Sequence, residues 1–149
     1  MKPVNPRSRA RSWVLQVLYG WDMTGEGPIR DWARQALRGR RVSARYRPYI
    51  DRLIKALDEQ LPECDSRIEA CMPNWRLDRL SAIDRNILRI GTVEILTIDD
   101  VPPRVAIHEA IRLAEHYGSD DSPGFVNGVL DAVGREITNS WAGRTPAGC

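Results

Sequence analysis

Residues 101–131, VPPRVAIHEAIRLAEHYGSDDSPGFVNGVLD, constrain the fold more than any other stretch. Ala106, Ala110, Leu113, Ala114 and Tyr117 recur at spacings of three and four, which draws one apolar stripe along a helix. Pro102 or Pro103 opens that helix, because a first-turn amide has no intrahelical partner to lose. Gly118 suits its stop. Ser122 and Pro123 signal a second start, and Val126, Val129, Leu130, Val133 and Ile137 form the next stripe. The stretch predicts a helical hairpin with two features unusual in plain scaffolding. Asn127 and Gly128 are poor helix formers in mid-helix, the glycine costing up to about 1 kcal/mol. Asp120, Asp121 and Phe125 crowd the start of the second helix.

The same periodicity runs through the rest of the chain. Residues 1–6 read as a flexible arm, with two prolines and no period. A first helix over about 7–23 turns Ala10, Val14, Val17, Leu18 and Trp21 inward and leaves a ridge of Arg9, Ser12, Gln16 and Tyr19. After the turn at Gly25–Pro28, a second helix over about 29–38 carries Ile29, Trp32, Ala33 and Leu37, and Gly39-Arg40-Arg41 breaks it. A third spans about 44–61, with Tyr46, Tyr49, Ile50, Leu53, Ile54 and Leu57 inside. Pro62 is read as a break before a short fourth helix over about 63–71. A fifth, about 77–98, carries Leu80, Ile83, Ile87, Ile90 and Ile95, is the most apolar, and is predicted to be central. Gly91 within it implies a close neighbour. Glu94 near its stripe is either buried, and then in need of a partner such as Asn127, or solvated at the stripe's edge. Residues 140–149 read as a frayed tail. No period-two strand of useful length is present. The fold class is all-α: a single compact domain, residues 1–149, of about seven helices.

At 149 residues a core needs no disulfide or metal staple. Cys64, Cys71 and Cys149 are odd in number and lack CxxC spacing, which suits reduced thiols and a cytoplasmic setting. No signal peptide is visible, and no apolar run approaches the roughly 20 residues that span a bilayer. The formal net charge of +2 conceals an asymmetry. Residues 1–47 hold 11 Lys+Arg against 3 Asp+Glu, a local charge of +8, whereas residues 48–149 hold 11 against 17, or −6. A basic front and an acidic remainder imply two surfaces of opposite sign. The basic residues are nearly all Arg, which favours bidentate phosphate contacts, although a genome rich in arginine codons gives the same composition.

Catalytic patterns are missing. His108 and His116 lie eight apart on one helix without further ligands at metal spacing, and Arg112 spoils an HExxH reading. No phosphate-binding glycine loop or nucleophile elbow occurs. Carboxylate pairs precede helices, where they favour the helix dipole. The chain reads as a non-enzyme with no cofactor and no metal. What is left is a binding constellation: Arg7, Arg9 and Arg11 with Gln16 and Tyr19, and Phe125 beside Asp121. Guanidinium groups neutralise phosphates, aromatic rings stack on unpaired bases, and carboxylates accept from base amino edges. That mixture suits a short single strand of RNA. It also suits a solvated basic helix end and a core phenylalanine.

Residues 107–118 and 125–131 (Ile107-His108-Glu109-Ala110-Ile111, Leu113-Ala114, Tyr117-Gly118, then Phe125-Val126-Asn127-Gly128-Val129-Leu130-Asp131) resemble the late signature of the transcription antitermination factor NusB family. His108 stands where the family usually has Asn. Similar blocks lie at Arg7–Trp21 and Leu77–Leu96. The resemblance implies an all-helical protein that binds boxA-type RNA of ribosomal RNA leaders together with NusE, a small-subunit ribosomal protein. In that setting it would help RNA polymerase in an antitermination complex read through terminators. It implies RNA contacts at Arg7, Arg9, Arg11, Tyr19, Asp121 and Phe125, and a NusE surface that includes Tyr19, Asp78 and Asp84. An acidic surface suits a basic ribosomal protein. Pro6 and Ser8 stand where family arms often carry more basic residues. Two alternatives accompany this reading. Similar domains precede RNA cytosine methyltransferase domains, for which this chain has no room, and some family members form homodimers through the RNA-binding face.

Overall fold

The structure, a computed structural model, describes residues 5–143, with the side chains of 141–143 left aside. Six α-helices occur among the described residues: α1 (Pro6–Thr24), α2 (Ile29–Leu37), α3 (Arg47–Ala70), α4 (Ala82–Thr97), α5 (Pro103–Tyr117) and α6 (Ser122–Gly143). No strand occurs among the described residues, and no helix there is long and apolar enough to cross a membrane.

Local chemistry sets the helix ends. Asn5 caps α1, its Oδ1 accepting from the Arg7 amide at 2.8 Å, and Pro6 takes the first turn. Gly25 ends α1 in the left-handed region at φ 65°, its amide donating to Trp21 O at 2.7 Å. Pro103 opens α5 as the hairpin reading requires.

Three boundaries differ from expectation. Residues 44–71 do not form two helices, because α3 passes through Pro62. The ring lies on the exposed side of α3, away from the helix's buried stripe. The buried stripe Leu53, Leu57, Cys64 and Ile68 holds both halves on one axis. The helix expected over 77–98 is interrupted. Leu77–Arg79 is a single 3-10 turn, and Ser81 starts α4 by accepting the Asp84 amide on Oγ at 3.1 Å. At the other end α6 continues to Gly143, past the expected fraying point at Ser140. The expected arm at residues 1–4 and tail at 144–149, Cys149 included, lie outside the described residues.

The central helix is α4, which packs against α1, α3, α5 and α6. Its positions from Asn86 to Ile95 are all buried, the polar Asn86, Arg89, Thr92 and Glu94 included, so other elements enclose it around most of its circumference. Gly91 explains how α6 comes close. A Cβ there would stand 2.6 Å from Leu130 Cδ1, so the glycine admits the Leu130 side chain. The inward residues expected on α6 (Val126, Val129, Leu130, Val133 and Ile137) are all buried.

Candidate nucleic-acid interface

Contacts across the bundle fix how α1 and α5 lie. Ser8 Oγ donates to Glu109 Oε1 at 2.8 Å. One turn further along both helices, Ser12 shares a groove with Leu113 and His116. The two helices therefore lie side by side along this groove. The groove, about 250 Å³, is lined by Ser8, Arg9, Ser12, Glu109, Arg112, His116 and Tyr117. Gln16 and Tyr19 continue the exposed α1 face at three- and four-residue steps. The ridge Arg9, Ser12, Gln16 and Tyr19 read from the sequence thus faces outward. Tyr117, which the sequence places in an apolar stripe, is instead 37% exposed at the groove's end, with its ring edge-on to His116 at 4.6 Å. Both histidines are exposed.

Arg11 does not belong to this surface. It is buried, and its Nε donates to both carboxylate oxygens of Glu94 at 2.9 and 2.8 Å. Tyr49 donates its hydroxyl to the same carboxylate, and Glu109 lies 3.7 Å from the Arg11 guanidinium. The sequence identifies Glu94 as a group in need of a partner, but the partners are Arg11 and Tyr49. Asn127 is exposed on α6, and nothing stands within 4 Å of a Cβ built on Gly128. Burial pushes the Glu94 carboxyl above its ordinary range, opposed by the Arg11 charge and the Tyr49 hydroxyl. Burial also pushes the Tyr49 hydroxyl up, with the Glu94 charge adding to it. This web ties α1, α3, α4 and α5 together, so Arg11, Glu94 and Glu109 are framework.

Arg7 and Phe125 mark opposite ends of α5. Arg7 donates to Asp100, just before α5, at 2.6 Å, and sits over the Tyr49 ring at 4.5 Å. That contact holds the exposed Asp100 carboxyl below its usual range and raises Arg7. Phe125 stands in the first turn of α6, just after α5, and packs edge-on against Trp75 at 6.4 Å. The 15 residues of α5 span about 22 Å. The compact grip expected of Arg7, Arg9, Arg11 and Phe125 is therefore replaced by a strip. Arg7 stands at one end and Arg9 with Arg112 in the middle. Tyr117 and the exposed Asp120 and Asp121 stand at the other. The sequence reads Tyr117 as part of an apolar stripe and gives Arg112 and His116 no binding role, and only the packing of α5 beside α1 brings the three to this groove.

A second surface gathers at the start of α4. Asp22 accepts from Arg85 at 2.7 Å and from Asn86 at 3.0 Å, which brings the end of α1 to the start of α4. Tyr19 (41% exposed), Asp78 and Asp84 lie at this end. Asp78 is exposed and paired with Arg76 at 3.0 Å. No group of His, Cys, Asp and Glu among the described residues could hold a metal ion.

Residues 8–135 match the model of the NusB family. The chain is 36% identical over 138 residues to the transcription antitermination protein NusB of Desulfosudis oleivorans, covering 91% of this chain and 90% of that one. A solved structure described as T. maritima NusB superposes with a TM-score of 0.78 at 33% identity, covering 91% and 94% of the two chains. A solved complex of the antitermination factors NusB and NusE with double-stranded RNA contains a chain that superposes at TM-score 0.78 and 27% identity, covering 88% and 97%. The helical order, the α5–α6 signature and these matches agree: the chain belongs to the NusB family.

Proposed function

We infer that this protein is a transcription antitermination factor, not an enzyme, that binds boxA-type RNA of ribosomal RNA leaders together with NusE. It acts with elongating RNA polymerase in the cytoplasm. The observation that carries the reading is the α1–α5 groove, where Arg9, Ser12, Arg112 and Tyr117 converge within the fold of this family. Relatives matched over nine tenths of their length are antitermination proteins, which favours this role over that of a methyltransferase's RNA-binding part.

In the proposed arrangement Arg7, Arg9 and Arg112 neutralise phosphates, Tyr117 and Tyr19 offer stacking faces, and Asp121 accepts from a base amino group. Each phosphate contact adds about 0.7 to the salt slope of a single strand, and each stacked base contributes about 1–3 kcal/mol. NusE docks at the start of α4, on Tyr19, Asp78 and Asp84, where acidic side chains complement a basic ribosomal protein. Phe125 enters this scheme through Trp75: the pair shapes the end of the strip.

Titration of labelled boxA RNA, with and without NusE and across a salt series, tests the reading. Affinity should rise with NusE and fall when the boxA sequence is scrambled. Binding indifferent to both would remove the function from this protein.

A further inference from the structure

Between Asp31 and Asp51 the chain carries no carboxylate and six arginines: Arg34, Arg38, Arg40, Arg41, Arg45 and Arg47. All six are exposed. Among the described residues none of them enters an ion pair, whereas Arg30, Arg52, Arg76 and Arg135 elsewhere on the surface do. Like charges gathered without counterions repel one another, and nothing in the packing of this connector calls for them. Two grooves meet here. Arg34, Arg38 and Arg47 line one of about 540 Å³ between α2 and α3, which Asp51, Asp58 and Glu59 also line deeper along α3, and Arg45 lines another of about 480 Å³ together with Arg7. Arg45 and Arg47 flank Tyr46 at the start of α3, and Arg45 shares its groove with Arg7, so the arginines of the connector lead to the α1 end of the RNA strip.

We propose that the α2–α3 connector, residues 38–46, together with Arg47 at the start of α3, is a second, sequence-independent phosphate-binding surface that holds the backbone of RNA flanking the segment read by the α1–α5 groove. The inference rests on the RNA-binding reading above and adds a site to it. Guanidinium forks match phosphate oxygens in bidentate fashion. The segment exposes no large apolar side chain that would enter a membrane, since the exposed large hydrophobics all lie elsewhere. Its continuity with Arg7 selects RNA over an acidic peptide. The effect is affinity and register along the transcript, not base choice.

The test compares boxA RNA alone with the same RNA extended by an unrelated single-stranded segment at either end, using the full chain. One extended RNA should bind more tightly, with a salt slope steeper by about 3 for four added phosphate contacts. That advantage should shrink about fifty-fold between 50 and 200 mM salt. The variant Arg38→Gln, Arg40→Gln, Arg41→Gln and Arg47→Gln should lose the gain from extension and keep the wild-type affinity for boxA alone. The pair R40Q/R41Q, on the connector outside any helix, should lose about half of it. Equal binding of short and extended RNA by the wild type overturns the proposal, as does an undiminished gain in the variants. So does polyglutamate that competes for the connector as well as RNA does. Failure of boxA alone to bind would instead defeat the α1–α5 reading, and extension-dependent binding lost in the variants would still support the connector.

Discussion

Replacing Arg11 with Met separates a framework arginine from an RNA-binding one. The Arg11 and Glu94 side chains are 2% and 1% exposed, and the guanidinium is the only cation bonded to that carboxylate among the described residues. Arg11→Met keeps most of the side-chain volume and leaves Glu94 and part of Glu109 uncompensated in the interior. Breaking one side of a buried pair costs about 3–5 kcal/mol, because the survivor keeps its desolvation penalty. For a chain of this length that lowers Tm by roughly 6–20 °C. Urea denaturation gives the loss directly, and RNA titration well below the new Tm gives the affinity of the folded protein, which should match wild type. A second replacement, Glu94→Leu, removes the stranded charge and should restore much of the stability, so the double-mutant cycle yields a large coupling. A loss under about 1 kcal/mol accompanied by weakened RNA binding would refute the reasoning and return Arg11 to the RNA surface.

The two helical glycines should behave oppositely. Gly91→Ala drives a methyl into Leu130 and should destabilise by about 1–3 kcal/mol, whereas Gly128→Ala meets open space and should stabilise by about 0.4–1 kcal/mol. Thermal melts of both variants check this contrast. Asp100 holds both Arg7 and Arg52, at 2.6 and 3.0 Å, so it competes with phosphate for them. Asp100→Asn should tighten RNA binding up to about fivefold at neutral pH, the scale of an exposed ion pair, and unchanged affinity would place Arg7 outside the strip. Burial lifts the Cys64 thiol to about 12 and the half-buried Cys71 to about 11, so both stay protonated at pH 8. A thiol reagent in native buffer should label them slowly, and urea should release both.

The apolar stripes made most of the fold legible. Three- and four-residue spacing places Val14, Leu53, Ile87, Leu113 and Leu130 in the core without further information, since each helix reports its own buried face. Boundaries were harder where a local signal competed with packing. Pro62 reads as a stop, yet the stripe resumes in register at Cys64 and Ile68, and burial of that face outweighs one missing hydrogen bond. Ser81 offered a cap three residues before Asp84 but sits inside a continuous apolar pattern that hides it. The site was legible by composition and not by location. Arg7, Arg9 and Arg11 look equivalent along the chain, and only Glu94, 83 residues away, takes Arg11 into the interior. Arg9 finds its neighbours on α5 for the same kind of reason, through the Ser8–Glu109 contact that no local pattern encodes.

Photo-crosslinking of thiouridine-substituted boxA RNA, mapped by mass spectrometry, tests the central claim most directly. Crosslinks should fall on the exposed α1 ridge and on His116 and Tyr117 of α5, with none on faces away from the groove, such as that of Asp131 and Arg135 on α6. Adducts confined to those other faces, or spread evenly over the surface, would contradict an RNA path along the α1–α5 groove.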